Sequence, residues 1–301
     1  MLKRTFENTE AIENTHYVEA ADGTQIAYRV ESNGPALVFV NGFTTSNSYW
    51  KYLLERFRDR ATLVNWDLKG HGNSGPAETD EGATIEATVD DLRRVMDAAG
   101  IEEATLLGFS LGAQIVTEAW RAMPERISGI IPILGPFEHT FDAVIPPVVG
   151  PMFWKLFEKR GPQVADALLD TAYLASKLPV TWRAAKALGY VGEKVHFEDM
   201  EPFFEHVGQV HGPTWAKLGI SAHNHSAADV LPTIDVPMLI VSGGRDNLAP
   251  AKLGQRMHDL APEAELCVVS EATHAGLLGQ REVIEDEIEA FLVEHDLVGS
   301  L

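Results

Sequence analysis

The sequence has little of three things: cysteine, long apolar runs and basic residues. Its single cysteine, Cys267, excludes an internal disulfide and lies in an apolar run, where a small buried side chain is expected. No uninterrupted apolar run approaches the roughly 18–20 residues needed to cross a bilayer. Residues 1–8 include two basic residues with no apolar stretch behind them, so no secretory signal is predicted. A cytoplasmic protein is the expectation.

The shortage of basic residues gives the chain a strong negative charge. Against 24 lysines and arginines stand 44 acidic residues, a formal net charge of −20. Such a field repels nucleic acid and anionic membrane surfaces, so neither is expected as a partner. The acidic excess is expected to serve solubility, and net charge says little about the preference of a single binding pocket.

What the sequence does contain is a regular alternation of strand and helix patterns. Residues 24–30 alternate as an edge hairpin strand would. Six continuous apolar runs of the kind buried in a parallel sheet follow; they span residues 36–40, 61–66, 104–107, 127–134, 238–242 and 265–269. Helical periodicity lies between them, at 84–99, 111–122, 251–260 and 282–295. This order predicts an α/β fold with a mostly parallel, doubly wound sheet of about eight strands.

One long stretch interrupts that alternation. Residues 137–232 are helix-patterned and rich in aromatic side chains, and they lack strand runs. An insertion of this kind after the sixth strand predicts a helical lid, so residues 1–136 with 233–301 would form the core domain and 137–232 the lid domain. An exposed helix of the lid could also mediate a homodimer.

The motif with the clearest chemistry is Gly108-Phe109-Ser110-Leu111-Gly112. It follows a predicted strand and opens a predicted helix, the setting in which a G-x-S-x-G motif holds a serine at the tip of a tight turn. The helix start behind that serine favours negative charge. Ser110 is therefore the candidate nucleophile.

A serine hydroxyl needs a base to remove its proton, and the base needs a partner that fixes its tautomer. His274 lies in a loop of small residues after the strand run 265–269, and Asp246 follows the strand run 238–242. Both loops should leave the same sheet edge as Ser110. The sequence thus predicts a Ser110–His274–Asp246 triad.

With these motifs the chain resembles the α/β-hydrolase superfamily, from about Gly23 to Leu297. In that family, the amide after the nucleophile and the amide of a residue after the first long buried strand form the oxyanion hole, which implies Leu111 and Phe43 here. The family usually has histidine where this chain has Asn41, and the resemblance implies that the hole survives the change. Asp67 to Ser74 resembles a turn of the form D-x-x-G-H-G-x-S that is structural in the family, so His71 is not expected to act as a base.

The resemblance implies acyl chemistry, because the dehalogenases and epoxide hydrolases of this fold use an aspartate nucleophile. We expect a serine hydrolase that cleaves a small or medium carboxylic ester through an acyl-enzyme. The same triad would serve a lactonase, a carbon–carbon bond hydrolase or a perhydrolase, and a ligand-binding receptor with slow turnover stays an alternative. Phe43, Phe109 and Phe137 are the expected substrate-binding residues.

No cofactor or metal is predicted. His206, His211, His223 and His225 cluster in the sequence. They lie in helical or loop-like surroundings, and no acidic or cysteine ligand keeps a metal-site spacing with them.

Overall fold

A computed structural model describes residues 15–31, 34–142, 145, 148–261 and 263–299. The sequence predictions about residues 1–8 lie outside these described residues. The strands are β1 His16–Glu19, β2 Gln25–Glu31, β3 Ala36–Val40, β4 Thr62–Trp66, β5 Ala104–Phe109, β6 Ile127–Ile133, β7 Leu239–Gly243 and β8 Glu265–Val269. The helices are α1 Lys51–Phe57, α2 Ile85–Ala98, α3 Leu111–Ala122, α4 Gly150–Ser176, α5 Pro179–Ala187, α6 Phe197–Val207, α7 Gly212–Asn224, α8 Ala251–Leu260, α9 Gly276–Gly279 and α10 Arg281–Glu294.

The eight strands form one sheet in the order β1-β2-β4-β3-β5-β6-β7-β8. The strands from β4 to β8 pair in parallel, and β2 joins antiparallel to both β1 and β4. The predicted sheet is therefore confirmed, with one omission. Sequence patterning did not find β1, because this strand has four residues and no buried side chain.

The sheet is covered on both faces, which explains its continuous apolar strands. Along β3, Val38 faces the cluster that includes Leu92 of α2 and Ile115 of α3. Leu37 faces the other cluster, with Leu53 of α1 and Ile288 of α10. Consecutive strand residues point to opposite faces, so each β3 residue contributes to one of two cores.

Among the described residues between β6 and β7, four α-helices occur, α4 to α7. They fall within the stretch that the sequence assigned to a lid. Within the described residues, no helix is both long and apolar enough to cross a bilayer.

Candidate active site

Ser110 occupies a strained turn between β5 and α3. Its φ of 54° and ψ of −117° lie outside the regions that ordinary residues adopt. A Cβ on Gly108 would lie 2.2 Å from the carbonyl oxygen of Gly112, and one on Gly112 would lie 2.2 Å from that of Val40. Both contacts are with backbone, which cannot move aside. The two motif glycines are thus required by packing, and the strain places the hydroxyl above the sheet edge.

Two further glycines also crowd this turn, of which Gly42 belongs to the segment Asn41 to Thr44 that carries the family resemblance and Gly135 was not singled out from the sequence. A Cβ on Gly135, just after β6, would lie 2.2 Å from the Ser110 carbonyl oxygen. One on Gly42, after β3, would lie 2.9 Å from the Ser110 Cβ. Their signal in the sequence is a glycine immediately beyond a buried strand, where neighbouring backbone approaches closely.

The loops after β7 and β8 bring the other two candidate residues to Ser110. His274 Nε2 lies 2.9 Å from Ser110 Oγ, and His274 Nδ1 lies 2.8 Å from Asp246 Oδ2. An ionised carboxylate only accepts hydrogen bonds, so Nδ1 carries the proton and donates a hydrogen bond to Asp246 Oδ2. Nε2 is then left to accept the hydrogen bond from the Ser110 hydroxyl.

Asp246 is fixed by backbone as well as by the imidazole. Its Oδ1 accepts hydrogen bonds from the amides of Leu248 and Ala249, each at 2.8 Å, and its side chain is fully buried. The carboxylate therefore has little freedom to turn away from His274. Phe109 supports the other side of the imidazole, with its ring centroid 5.3 Å from that of His274.

The amides of Phe43 and Leu111 lie on the two segments that meet at Ser110. Phe43 follows Gly42, and Leu111 opens α3. Among the described residues, neither amide has a hydrogen-bond acceptor. An amide in the first turn of a helix has no partner within that helix, so Leu111 is free to donate to a bound group.

Asn41 supports the loop from within. Its side-chain amide donates to the carbonyl oxygen of Trp66 at 2.8 Å and to Asn47 Oδ1 at 2.9 Å, and its oxygen accepts from Trp50 Nε1 at 2.9 Å. The residue is 2% exposed, so this network satisfies a buried polar group. Asparagine thus holds the loop through three hydrogen bonds in place of the usual histidine.

His71 lies in the turn whose family counterpart is structural, and both of its ring nitrogens contact backbone groups. Nδ1 donates to the carbonyl oxygen of Lys69 at 2.9 Å, and Nε2 accepts from the amide of Thr44 at 3.3 Å. Burial lowers the pKa of His71 to about 4, so the ring is neutral at neutral pH. It fixes the segment that follows Phe43.

Ser110 and His274 open into a cavity of about 500 Å³. Core loops contribute Phe43, Tyr49 and Phe109, and the inserted helices and their connections contribute another set of mostly apolar side chains. That second set includes Ala185, Tyr190, Val191, Met200, Phe203 and Phe204, together with Phe141 and the polar residues Glu138, His139, Thr140 and Asp142 of the connection that follows β6. The Tyr49 hydroxyl donates to Met200 Sδ at 3.4 Å, so core and insertion meet across the cavity.

The prediction that Phe137 lines the substrate site is wrong. Phe137 is fully buried and packs in the core with Leu218, Ala222 and Ala227, away from the cavity. Its neighbours Pro136 and Glu138 line the cavity instead. In an extended segment consecutive side chains point in opposite directions, and local pattern does not indicate which of them faces the cavity.

The charged groups at the cavity wall are paired. Arg256 Nη1 lies 2.5 Å from Glu138 Oε1, and Ser226 Oγ donates to Glu138 Oε2 at 2.8 Å. Glu138 is 7% exposed, and its charge is balanced by that of Arg256. The cavity therefore presents mainly apolar surface. A third charged residue of its lining, Asp142, has its Oδ1 3.1 Å from His223 Nδ1.

The four clustered histidines are dispersed in the fold. His206 stacks against His71, His223 stacks against Trp154, and His225 Nε2 lies 3.0 Å from Glu118 Oε2. Within the described part of the chain, no three histidine, cysteine or acidic side chains are placed to hold a metal ion together.

Comparison with known families matches residues 35–279 to the alpha/beta hydrolase fold. The chain belongs to the alpha/beta hydrolase fold family. The matched range includes every element that builds the site around Ser110.

Individual members of the family show what this alpha/beta hydrolase is similar to. A pimeloyl-[acyl-carrier protein] methyl ester esterase of Aliivibrio fischeri (strain MJ11) is 23% identical, over 90% of this chain and 99% of that protein. An esterase from Exiguobacterium antarcticum superposes with a TM-score of 0.71 at 20% identity, over 92% and 98% of the two chains. The enol-lactonase from Burkholderia xenovorans LB400 superposes with a TM-score of 0.73 at 19% identity, over 92% of this chain and 100% of that chain. At these identities the structures share a fold, and the reaction has to be argued from the site.

The residues that sequence reasoning missed lie mostly in the insertion. Met200, Phe203 and Phe204 reach the cavity from α6, and Tyr190 and Val191 reach it from the connection that precedes α6. The sequence marked the segment as rich in aromatic residues. It did not indicate which of them face Ser110, because helix packing decides that.

Proposed function

We propose that this alpha/beta hydrolase cleaves carboxylic esters through an acyl-enzyme formed on Ser110. The observation that carries the proposal is the continuous hydrogen-bonded chain from Asp246 through His274 to Ser110, ending at an apolar cavity. A nucleophile within reach of a base that is itself oriented by a third group is the geometry of activated serine chemistry.

The first half-reaction forms the acyl-enzyme. Ser110 Oγ attacks the ester carbonyl carbon while His274 Nε2 takes the hydroxyl proton, and Asp246 stabilises the imidazolium that results. The amides of Phe43 and Leu111 stabilise the oxyanion, where one such donor is typically worth about 10²–10³ in rate. The C–O bond to the leaving alcohol then breaks, and that oxygen receives the proton from His274.

The second half-reaction releases the acid. His274 removes a proton from water, the hydroxide attacks the acyl carbon, and a second tetrahedral intermediate forms in the same oxyanion hole. Its collapse breaks the bond to Ser110 Oγ, which takes back the proton from Nε2. The enzyme is regenerated, and one ester and one water have become an acid and an alcohol.

The cavity supports an ester with a largely apolar acyl or alcohol part. Its lining is mainly aromatic and aliphatic, and its volume falls in the range of small-molecule sites. Residues 137–232 act in this proposal as a lid over the core. Support comes from the inserted residues that complete the wall opposite Ser110, including Val191, Met200 and Phe203.

The test is pre-steady-state hydrolysis of p-nitrophenyl esters of increasing acyl length by the native enzyme and by Ser110→Ala. We expect a burst of p-nitrophenol, turnover after it, and loss of both in the variant. Fluorophosphonate labelling should likewise disappear in Ser110→Ala while the circular dichroism spectrum is unchanged. Retained labelling would exclude Ser110 as nucleophile.

The same assay separates the alternatives. A burst without later turnover would indicate a receptor-like protein that holds its acyl group. Absence of any burst, together with turnover of lactones that is lost in Ser110→Ala, would assign the triad to lactone substrates.

A further inference from the structure

The exposed large apolar residues of this protein are concentrated on the insertion. Among the described residues seventeen are exposed, and thirteen of these lie between residues 148 and 197. We call these thirteen the outer face; they are Val148, Val149, Met152, Phe153, Leu156, Val164, Leu168, Leu174, Leu178, Val180, Leu188, Tyr190 and Phe197. Apolar surface gathered in this way marks an interaction site, whereas scattered exposed residues do not.

Six residues of the outer face lie on α4, on the side of the helix opposite its buried stripe, and the other seven lie in the segments before and after this helix. The buried stripe of α4 includes Trp154, Ala165 and Leu169, and the helix packs mainly against α7. Met152 is 74% exposed and Leu156 61%. The helix thus uses one apolar stripe for folding and presents a second one to solvent.

The outer face also differs in charge from the rest of the molecule. Residues 148–197 contain seven basic and four acidic side chains, so this segment has a net charge of +3 in a chain whose total is −20. Lys155, Lys159 and Arg160 are exposed on α4 beside the apolar stripe. Apolar residues flanked by basic ones are typical of helices that lie in the interface of an anionic membrane.

Aromatic contacts join the outer face to the cavity. Phe141 lines the cavity and packs against Trp154, at 5.8 Å between ring centroids, and Trp154 packs against Phe153 at 5.2 Å. On the α6 side, cavity-lining Phe204 lies 6.1 Å from Phe197. Phe153 and Phe197 are 41% and 40% exposed. An apolar molecule held at the outer face would therefore be close to the cavity that contains Ser110.

We propose that the outer face docks on the surface of an anionic phospholipid bilayer, from which an apolar ester enters the cavity. Docking itself requires no catalysis, and the delivery of a substrate rests on the proposed function. The net charge alone predicted that no anionic membrane would be a partner. That prediction treats the charge as evenly distributed, whereas at physiological salt each charge acts over about 8 Å, so the basic segment 148–197 governs contact at the outer face even though residues 137–232 as a whole carry a net charge of −3.

The test is flotation of Ser110→Ala protein with vesicles of phosphatidylcholine alone or mixed with phosphatidylglycerol. We expect partition into the anionic vesicles only, weakening as salt is raised. Replacing Lys155, Lys159 and Arg160 together by glutamine should lower the partition coefficient about 100-fold, since each basic residue near such a surface contributes about fivefold.

A matched control removes the same charge from the core. Arg58, Arg121 and Lys252 are exposed outside the insertion, and their replacement by glutamine should leave partition within about twofold of the starting protein. Equal loss in both triple variants would show that net charge alone is responsible and would overturn the docking surface.

The apolar part of the surface is tested in the same way. Replacing Met152, Leu156 and Leu168 together by serine should lower partition at least about tenfold, while serine at exposed Val283 and Val293 of α10 should not. Equal binding to both vesicle types overturns the proposal. So does self-association that these three substitutions abolish, with no vesicle binding, because it would assign the face to a second copy of the chain.

Failure of docking and failure of the proposed function are distinguishable. Flotation is measured on a variant without the nucleophile, and fluorophosphonate labelling of the native protein is measured without vesicles. If the native protein is not labelled but the Ser110→Ala protein still floats with anionic vesicles, the proposed ester hydrolysis is contradicted and the docking proposal is not.

Discussion

The sheet and the inserted helices differ in how completely they bury their apolar residues. In β4 and β5 every residue is buried, whereas α4 buries one stripe and exposes Met152, Leu156 and Leu168. The sheet holds Ser110, His274 and Asp246 on loops at one edge, with backbone packed against backbone. The insertion contributes mostly apolar side chains to the cavity wall. We infer that the core determines which bond is broken, and that the insertion determines which molecule reaches it.

The largest expected effect of a single substitution belongs to the core. Asp246→Asn should lower kcat by up to about 10⁴, because an amide opposite Nδ1 favours the wrong imidazole tautomer while Oδ1 still accepts its two backbone hydrogen bonds. Steady-state hydrolysis of a p-nitrophenyl ester measures this loss.

Asp229→Asn serves as the control for that change. Asp229 is on the surface and pairs with Arg121 at 2.8 Å, which lowers its pKa to about 2. Normal turnover by Asp246→Asn would mean that another carboxylate orients the base. Glu271, which is paired with Arg245 at 3.0 Å, would then have to reorient.

A pair of glycines compares the tolerance of the two regions directly. Gly112→Ala places a Cβ 2.2 Å from the Val40 carbonyl oxygen, whereas Gly192→Ala meets nothing closer than 3.5 Å, at Thr273 Oγ1. We expect urea unfolding to show a loss of about 3 kcal/mol or more for Gly112→Ala and under about 0.5 kcal/mol for Gly192→Ala. Similar losses at both positions would contradict the contrast in packing.

Acid should weaken the contact between the two regions. His71 of the core and His206 of α6 stack at 5.7 Å, and burial lowers their pKa values to about 4 and about 3. Between those values and about 6.5 the unfolded chain binds protons that the folded chain does not, so stability falls as pH decreases. Burial of Asp91 raises its pKa to about 7 and acts oppositely, since stability from this group falls as pH rises from about 4 to 7.

The two histidines therefore contribute a part of the free energy of unfolding that falls from pH 6.5 to pH 4, while burial also raises the pKa values of Asp67 and Glu285, which act in the same direction as Asp91. His206→Phe should reduce that slope by about 1.4 kcal/mol per pH unit, the contribution of one proton. It should also remove a buried ring nitrogen that has no hydrogen-bond partner among the described residues. Urea unfolding at several pH values measures both effects, and an unchanged slope would exclude His206 as a source of the acid sensitivity.

The smallest expected effect belongs to the insertion. Phe203 lines the cavity and contacts Tyr49 of the core at 5.9 Å between ring centroids. Phe203→Ala should raise KM about tenfold for long apolar esters and leave kcat within about threefold, because it removes binding that ground and transition states share. Hydrolysis of an acetate ester is the control and should change little. A large fall in kcat for both esters would place Phe203 in the machinery of the reaction.

Much of this fold follows from local pattern. Continuous apolar runs predicted β3 to β8, and in β3 to β7 nearly every residue is buried, as in a sheet covered on both faces. The four-residue β1 carries no such signal. Local pattern was also insufficient at Phe137. It predicts where β6 ends, but the direction of the Phe137 side chain depends on tertiary packing, which places it in the core with Ala227.

The sequence by itself determined the order of strands and helices, the tight turn at Ser110 and the spacing that brings Asp246 and His274 to the same sheet edge. These depend on short segments, in which glycine and apolar residues leave the chain few alternatives. Only the tertiary structure decided that Phe203, Met200 and Tyr190 face the cavity. It also decided that the outer face, which includes one side of α4, stays exposed. A helix offers several faces of similar hydrophobicity, and the packing of α4 on α7 selects which one is buried.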